Sequence, residues 1–268
     1  MSIFKRHNKQ ETINEPVETF PPDETAFETN NPDVKRILNK MSDSKVNFIA
    51  TFSKEFKSEQ FPETPDLEKL NPSLTFQEAE DLRRYTGIEH KYINSVLRGF
   101  WNYDELGRKT PEKEAEVRES IDRISEIIKK TPKLPSHLKT YRGTNLDNFR
   151  GYGVESLDDL KNLDGQFFFE PGFTSTSLSR EASFFDRELE DTYRKKNDIE
   201  IEYLIPSGSQ DGVALIGDEL SYSKNQEEYL LDKGSLCRIM EVETSGETAR
   251  IVMALIPKEF SDNENSWD

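Results

Sequence analysis

Gln226, Glu227 and Glu228 stand directly before the apolar run that opens with Tyr229. Side chains alternate along a strand, so Gln226, Glu228 and Leu230 share one face and Glu227 and Tyr229 the other. On that shared face Gln226 and Glu228 lie about 6–7 Å apart. A carboxylate at the mouth of a buried strand costs free energy unless water solvates it or it binds something. Taken alone, the stretch allows both. Upstream, "TYRGT" puts Arg142 at the end of a strand with Gly143 after it, where a guanidinium can fork onto a phosphate. "GFTSTSLS" alternates Phe173, Ser175 and Ser177 with Thr174 and Thr176. That pattern suits either a line of hydroxyls across a cleft or an ordinary Ser/Thr-rich edge strand. The chemistry open to these groups is anion binding and the stabilisation of positive charge by a fixed carboxylate.

Other chemistries lack their residues. The chain of 268 residues has one cysteine, Cys237, and three histidines, His7, His90 and His137. That is a poor set for a Cys/His zinc site and allows no internal disulfide. None of the histidines has the context of a Ser-His-Asp or Cys-His centre. A net charge of −16 leaves no basic excess for nucleic acid, although a few arginines suffice for the phosphates of a small ligand. No apolar run approaches the roughly 18 residues of a membrane span. The opening "MSIFKRHNKQ" is positive, but no apolar stretch follows it, so it does not read as a secretory signal.

The elements that must position these groups come in two blocks. From about Pro32 to Lys130 the pattern is helical. Val34, Ile37 and Leu38 begin one stripe. Thr75 and Glu78 form a capping box, Phe76, Ala79 and Leu82 recur at helical spacing, and Gly87 offers a stop. "EHKYINSVLRGFW" reads as a second helix. A third runs from the Thr110 cap and Pro111 to Lys130, with Val117, Ile121, Ile124 and Ile128 as its stripe and Pro132 as its end. After Pro132 short apolar and alternating runs are punctuated by Gly, Pro, Asn and Asp, and Val242 to Ala249 reads as a hairpin. Helices first and strands after predict an α+β fold. Residues 1–33 are polar and Pro-rich and residues 259–268 are polar, so both read as disordered tails.

Arginine on a first strand, Ser-Thr-Ser on a second and Gln-x-Glu on a third, in this order, resembles the R-S-E class of mono-ADP-ribosyltransferases. "LRRYTGIEHKYINSVLRG" looks like the helical lead-in of clostridial binary-toxin enzyme components and Rho-modifying exoenzymes. "IPSGSQDGVALIGDELSYSKNQEEYLLDKGSLCRI" is similar to their loop and final core strands, and the likeness runs from about Leu74 to Pro257. The resemblance implies a catalytic domain over 34–258, with two packed β-sheets and N-terminal helices around an NAD cleft. It implies NAD as co-substrate, no metal, and cleavage of the nicotinamide–ribose bond with positive charge building on the ribose.

By the same resemblance Glu228 is the catalytic carboxylate, Ser175 orients it, and Arg142 clamps an NAD phosphate beside Gly143. Asn94 and Arg98, from "YINSVLR", are further NAD contacts, and Tyr85 either lines the cleft or packs in the core. Phe184 or Phe185 would stack on nicotinamide, with Phe185 the choice for the site, and Arg187 would reach a phosphate. Tyr222 and Gln226 would recognise the acceptor. Gln226 stands where arginine-modifying relatives carry Glu. An amide cannot act as a base but can pair with an amide, which points to a non-arginine acceptor such as asparagine. A bulge that brings Glu227 onto the working face would change this reading. Thr144 departs from the Asp of some relatives. The implied partners are a host protein acceptor and a delivery or activating protein. The implied setting is a bacterial toxin, a secreted effector or a phage enzyme acting in a host cytoplasm. The rival readings are an NAD glycohydrolase that depletes NAD and a non-catalytic NAD- or protein-binding module.

Overall fold

The structure, a computed structural model, describes residues 31–54, 56–61, 73–101, 106–183, 198–215 and 227–261. Helix α1 spans Pro32–Leu38 and α2 Asp43–Lys54. Asn31 caps α1 by accepting from the backbone N–H groups of Asp33 and Val34. Helix α3, Phe76–Arg84, starts at the expected capping box: Thr75 Oγ1 accepts from Glu78 N and the Glu78 carboxylate accepts from Thr75 N.

Gly87 does not end that helix. A π-helical turn, Tyr85–Glu89, carries it without a break into α4, His90–Leu97. The backbone stays in the right-handed helical region at both joints, and His90 N donates to Tyr85 O across the widened turn. One extra residue is thus absorbed inside a continuous helix instead of at a stop, and such π-turns are frequent at functional sites. Helix α5, Pro111–Lys130, begins and ends as its cap and prolines require. A short α6, Lys258–Ser261, follows the last strand.

Eight strands form one hydrogen-bonded sheet in the order β2-β7-β8-β4-β1-β3-β6-β5. They are β1 Leu138–Thr144, β2 Phe167–Glu170, β3 Thr174–Ser177, β4 Ile199–Ile205, β5 Gly212–Leu215, β6 Glu228–Leu231, β7 Ser235–Ser245 and β8 Thr248–Ile256. β7 and β8 make the expected hairpin, paired from Leu236↔Ile256 to Ser245↔Thr248, with Gly246 at positive φ in the turn. The two sheets expected from the sequence are two halves of this ladder, joined where β1 meets β3 at the single pair Tyr141↔Ser177.

The halves also pack on each other. Ala214, Tyr229 and Leu231 of the three-stranded half share an apolar cluster with Phe167, Ile201, Tyr203, Ile239 and Met253 of the five-stranded half. Val34, Ile37 and Ile49 from α1 and α2 complete it. The other face of the three-stranded half carries Val213, Leu215 and Leu230, and these pack on Leu82, Tyr85, Ile93, Val117, Ile121, Ile124 and Ile128 of the helices. The alternation expected for β6 is therefore present, with Leu230 under the helices and Tyr229 in the other core. Among the described residues no helix is long and apolar enough to cross a membrane.

Candidate active site

Glu228 opens β6, and both neighbours enclose it: Ser177 faces it across β3 and Leu215 across β5. By alternation it shares the face of Leu230, beneath the helices. It is 6% exposed. Burial pushes its carboxyl up to about 7, although a hydrogen bond from Ser175 and the charge of Arg142 pull it down. Glu228 Oε1 is buried with no hydrogen-bond partner among the described residues. A buried acceptor left in that state is costly, and a hydroxyl-bearing ligand would relieve it.

Ser175 joins two of the groups. Its hydroxyl faces Glu228 and its carbonyl accepts from Arg142 Nη1 at 3.1 Å. Arg142 stands on β1 beside the junction of the halves, one residue past Tyr141. Gly143 N donates to Ser183 O at 2.7 Å, which holds the backbone after Arg142 against the loop beyond β3. Thr176 turns away and donates to Tyr229 O at 2.7 Å. Ser177 Oγ accepts from Ser179 N. Thr144, the departure from some relatives, accepts from the Asn148 amide.

The π-turn brings the helices into this group. Tyr85 is fully buried, edge-on to Phe173 with centroids 5.4 Å apart. Burial pushes its hydroxyl up, and the Glu228 carboxylate adds to that push, while Asn94, Arg142 and Arg98 act against it. These four groups thus lie in one electrostatic neighbourhood around the Tyr85 hydroxyl. Asn94 Nδ2 donates to Tyr85 Oη at 3.2 Å and to Phe173 O at 3.1 Å, and Asn94 Oδ1 accepts from Phe173 N at 2.9 Å. Arg98, at the C-cap of α4, forks onto Glu170 at the end of β2, with Nε and Nη2 at 3.0 and 3.1 Å from its two oxygens.

The structure therefore brings Asn94, Arg98, Arg142, Ser175 and Glu228 together from a helix and three strands. Glu227 does not join them. Leu178 N donates to Glu227 O at 2.7 Å, so the β3–β6 ladder continues in register and no bulge turns Glu227 inward. Tyr222, Gln226, Phe184, Phe185 and Arg187 lie outside the described residues. Sequence reasoning missed Glu170 and the central place of Tyr85. Glu170 carried a signal, a carboxylate closing the apolar run "FFF" before Pro-Gly, but its partner Arg98 is 72 positions away.

The family model for ADP-ribosyltransferase exoenzymes matches residues 58–258. The chain belongs to this family. It is an ADP-ribosyltransferase of the R-S-E class, and NAD is its co-substrate. Among solved structures it is similar to a C3 enzyme from S. aureus with NAD, at 20% identity and a TM-score of 0.57, over 73% of this chain and 97% of that one. It is also similar to an ADP-ribosyltransferase from Clostridium botulinum, at 18% identity and a TM-score of 0.53, over 73% and 98%. An ADP-ribosyltransferase toxin from Paenibacillus larvae matches at 24% identity and a TM-score of 0.50, over 69% and 88%. At these identities the likeness is one of fold. A search of curated proteins finds no match. Helices α1 and α2 precede the matched segment, yet both pack into the larger core of this ADP-ribosyltransferase.

Proposed function

We propose that this enzyme transfers ADP-ribose from NAD to a protein side chain of the host, and that the acceptor is not arginine but an amide such as asparagine. The observation that carries the transferase reading is the buried Oε1 of Glu228, without a hydrogen-bond partner among the described residues, beside Ser175 and Arg142. NAD supplies the ADP-ribosyl group and releases nicotinamide. Glu228, ionised, would accept from a ribose hydroxyl and set a negative charge beside the carbon where positive charge develops. Ser175 turns its hydroxyl toward that carboxylate and receives Arg142 on its carbonyl, so one residue stands between the other two. Arg142 and Arg98 are the cations for the two phosphates, with Gly143 beside Arg142. Arg187 and Phe185 would complete the NAD side, and Tyr222 and Gln226 the acceptor side. The catalytic unit is residues 34–258, and its setting is a toxin, effector or phage enzyme brought into a host by a delivery or activating partner.

The test is label transfer from NAD into a host-cell lysate, native protein against Glu228→Gln. A band labelled by the native protein and not by the variant is expected, with the modified residue an amide by mass spectrometry. A modified arginine would overturn the role given to Gln226. Nicotinamide release without a labelled band would make the enzyme an NAD glycohydrolase. No turnover of NAD by the native protein would leave a binding module.

A further inference from the structure

Glu170 puts a carboxylate next to a site that must hold the anionic phosphates of a dinucleotide. Taken alone, that charge opposes binding. Its contacts are therefore informative. Both oxygens take the Nε and Nη2 donors of Arg98, and Oε1 also accepts from Gly172 N at 2.9 Å. The pair is mostly out of water, with side-chain exposures of 31% for Arg98 and 12% for Glu170. A fork of this kind fixes the guanidinium plane, and the edge formed by Nη1 and Nη2 makes no further hydrogen bond among the described residues and can donate to a ligand. An arginine held in one pose no longer loses its rotamer freedom when it meets a phosphate.

The same carboxylate holds the turn that leads into the Ser175 strand. Asn94 grips the far side of that turn through both Phe173 N and Phe173 O. Its two amide hydrogens are taken by Tyr85 and Phe173, so its donors are spent inside the protein. Gly172 lies between the two grips. A Cβ there would stand 2.8 Å from Asn94 Oδ1 and 3.2 Å from Glu170 Oε1. Helix α4, the end of β2 and the start of β3 thus meet in one interlocked corner.

We propose that Glu170 is a positioning residue for NAD binding: it presents Arg98 through the bidentate pair and, with Asn94, fixes the turn that delivers Ser175. This rests on the reading of Arg98 as a phosphate contact. Glu170→Gln suits the test because glutamine keeps an acceptor for Gly172 N and loses the charged fork. NAD affinity by calorimetry, and KM and kcat for NAD hydrolysis, would be measured for E170Q, R98A and the double variant, with thermal unfolding to confirm folding. Expected are a Kd and KM for NAD about tenfold higher in E170Q, a kcat within about twofold, and a double variant no worse than R98A.

NAD binding by E170Q as tight as, or tighter than, that of the native enzyme, with R98A weakened, would overturn the proposal and mark Glu170 as a competitor of the phosphate. Effects that multiply in the double variant would also overturn it, because Glu170 would then act independently of Arg98. Native affinity in R98A would instead sink the phosphate role of Arg98, and this proposal with it. Should E170Q fail to fold, R98K keeps the charge and loses the fork. A similar rise in KM is expected there, and an unchanged KM would overturn the proposal.

Discussion

Glu202 and Glu228 are carboxylates on strands of one sheet, and both are buried. Their surroundings are opposite. On the outer side of β4, Glu202 accepts from Ser58 and Arg250 and faces Lys139 Nζ at 3.5 Å, while Lys139 also donates to Ser58. Burial pushes Glu202 up, but these partners outweigh it and hold its carboxyl below the ordinary value. Glu228 has burial without that saturation, and its carboxyl rises to about 7. Burial sets the cost of a charge, and partners decide whether it is met inside the protein. A network that is already satisfied holds strands together. One that is left short of a donor is built to receive a ligand.

The largest effect that would sharpen this contrast is on turnover. Glu228→Gln is expected to lower kcat for NAD cleavage by about 10³-fold, measured as nicotinamide release, since it removes a fixed charge aimed at the reacting centre. Glu202→Gln should leave kcat of the folded enzyme within about twofold. A comparable loss in both variants would break the contrast.

Stability should invert the order. Glu202→Gln leaves the buried Lys139 without its counter-charge, while Arg250 keeps Glu241 and Glu243, at a cost of about 3 kcal/mol read by urea unfolding at neutral pH. Glu228→Gln should instead stabilise at alkaline pH. The folded value of Glu228, about 7, lies above its ordinary 4.5, so the folded state holds a proton that the unfolded state has lost between those limits. Native stability from this group is full below 4.5 and falls as pH rises to 7. The variant escapes that loss, by about 3 kcal/mol at the most above pH 7. A gain that is the same at pH 4.5 and pH 8 would refute this account of Glu228.

Activity should follow the same group. With the carboxylate as the working form, kcat/KM for NAD in the free enzyme should rise with pH through about 7 and then level. Glu202 has the opposite sign: its depressed value adds stability above 4.5 that is lost as pH falls below it. A smaller effect is expected from Gly172→Ala. The added Cβ forces Asn94 and Glu170 apart, at about 1–3 kcal/mol in unfolding free energy, with a raised KM for NAD. An alanine variant with native KM would show that the corner is looser than its contacts imply.

What could be read along the chain depended on local rules. The capping box at Thr75, Pro111 at the start of α5, the β7–β8 turn and the alternation that sets Glu228 and Leu230 against Tyr229 each involve residues within a few positions. The order of Arg142, the Ser-Thr-Ser strand and Glu228 was legible for the same reason, as short motifs each contained within one strand, β1, β3 and β6. Gly87 misled because a glycine marks backbone freedom and not its use, and the packing of Tyr85 and Ile93 on the sheet carried the helix through.

The sequence by itself determined the fold class, most of the elements and the candidates Arg142, Ser175 and Glu228. The tertiary structure decided their state. Asn94 meets Phe173 across 79 positions, and Arg98 meets Glu170 across 72. The value of about 7 at Glu228 exists only because β3, β5 and the helices remove it from water. Desolvation and long-range pairing depend on the distance between groups in space, and chain order does not fix that distance.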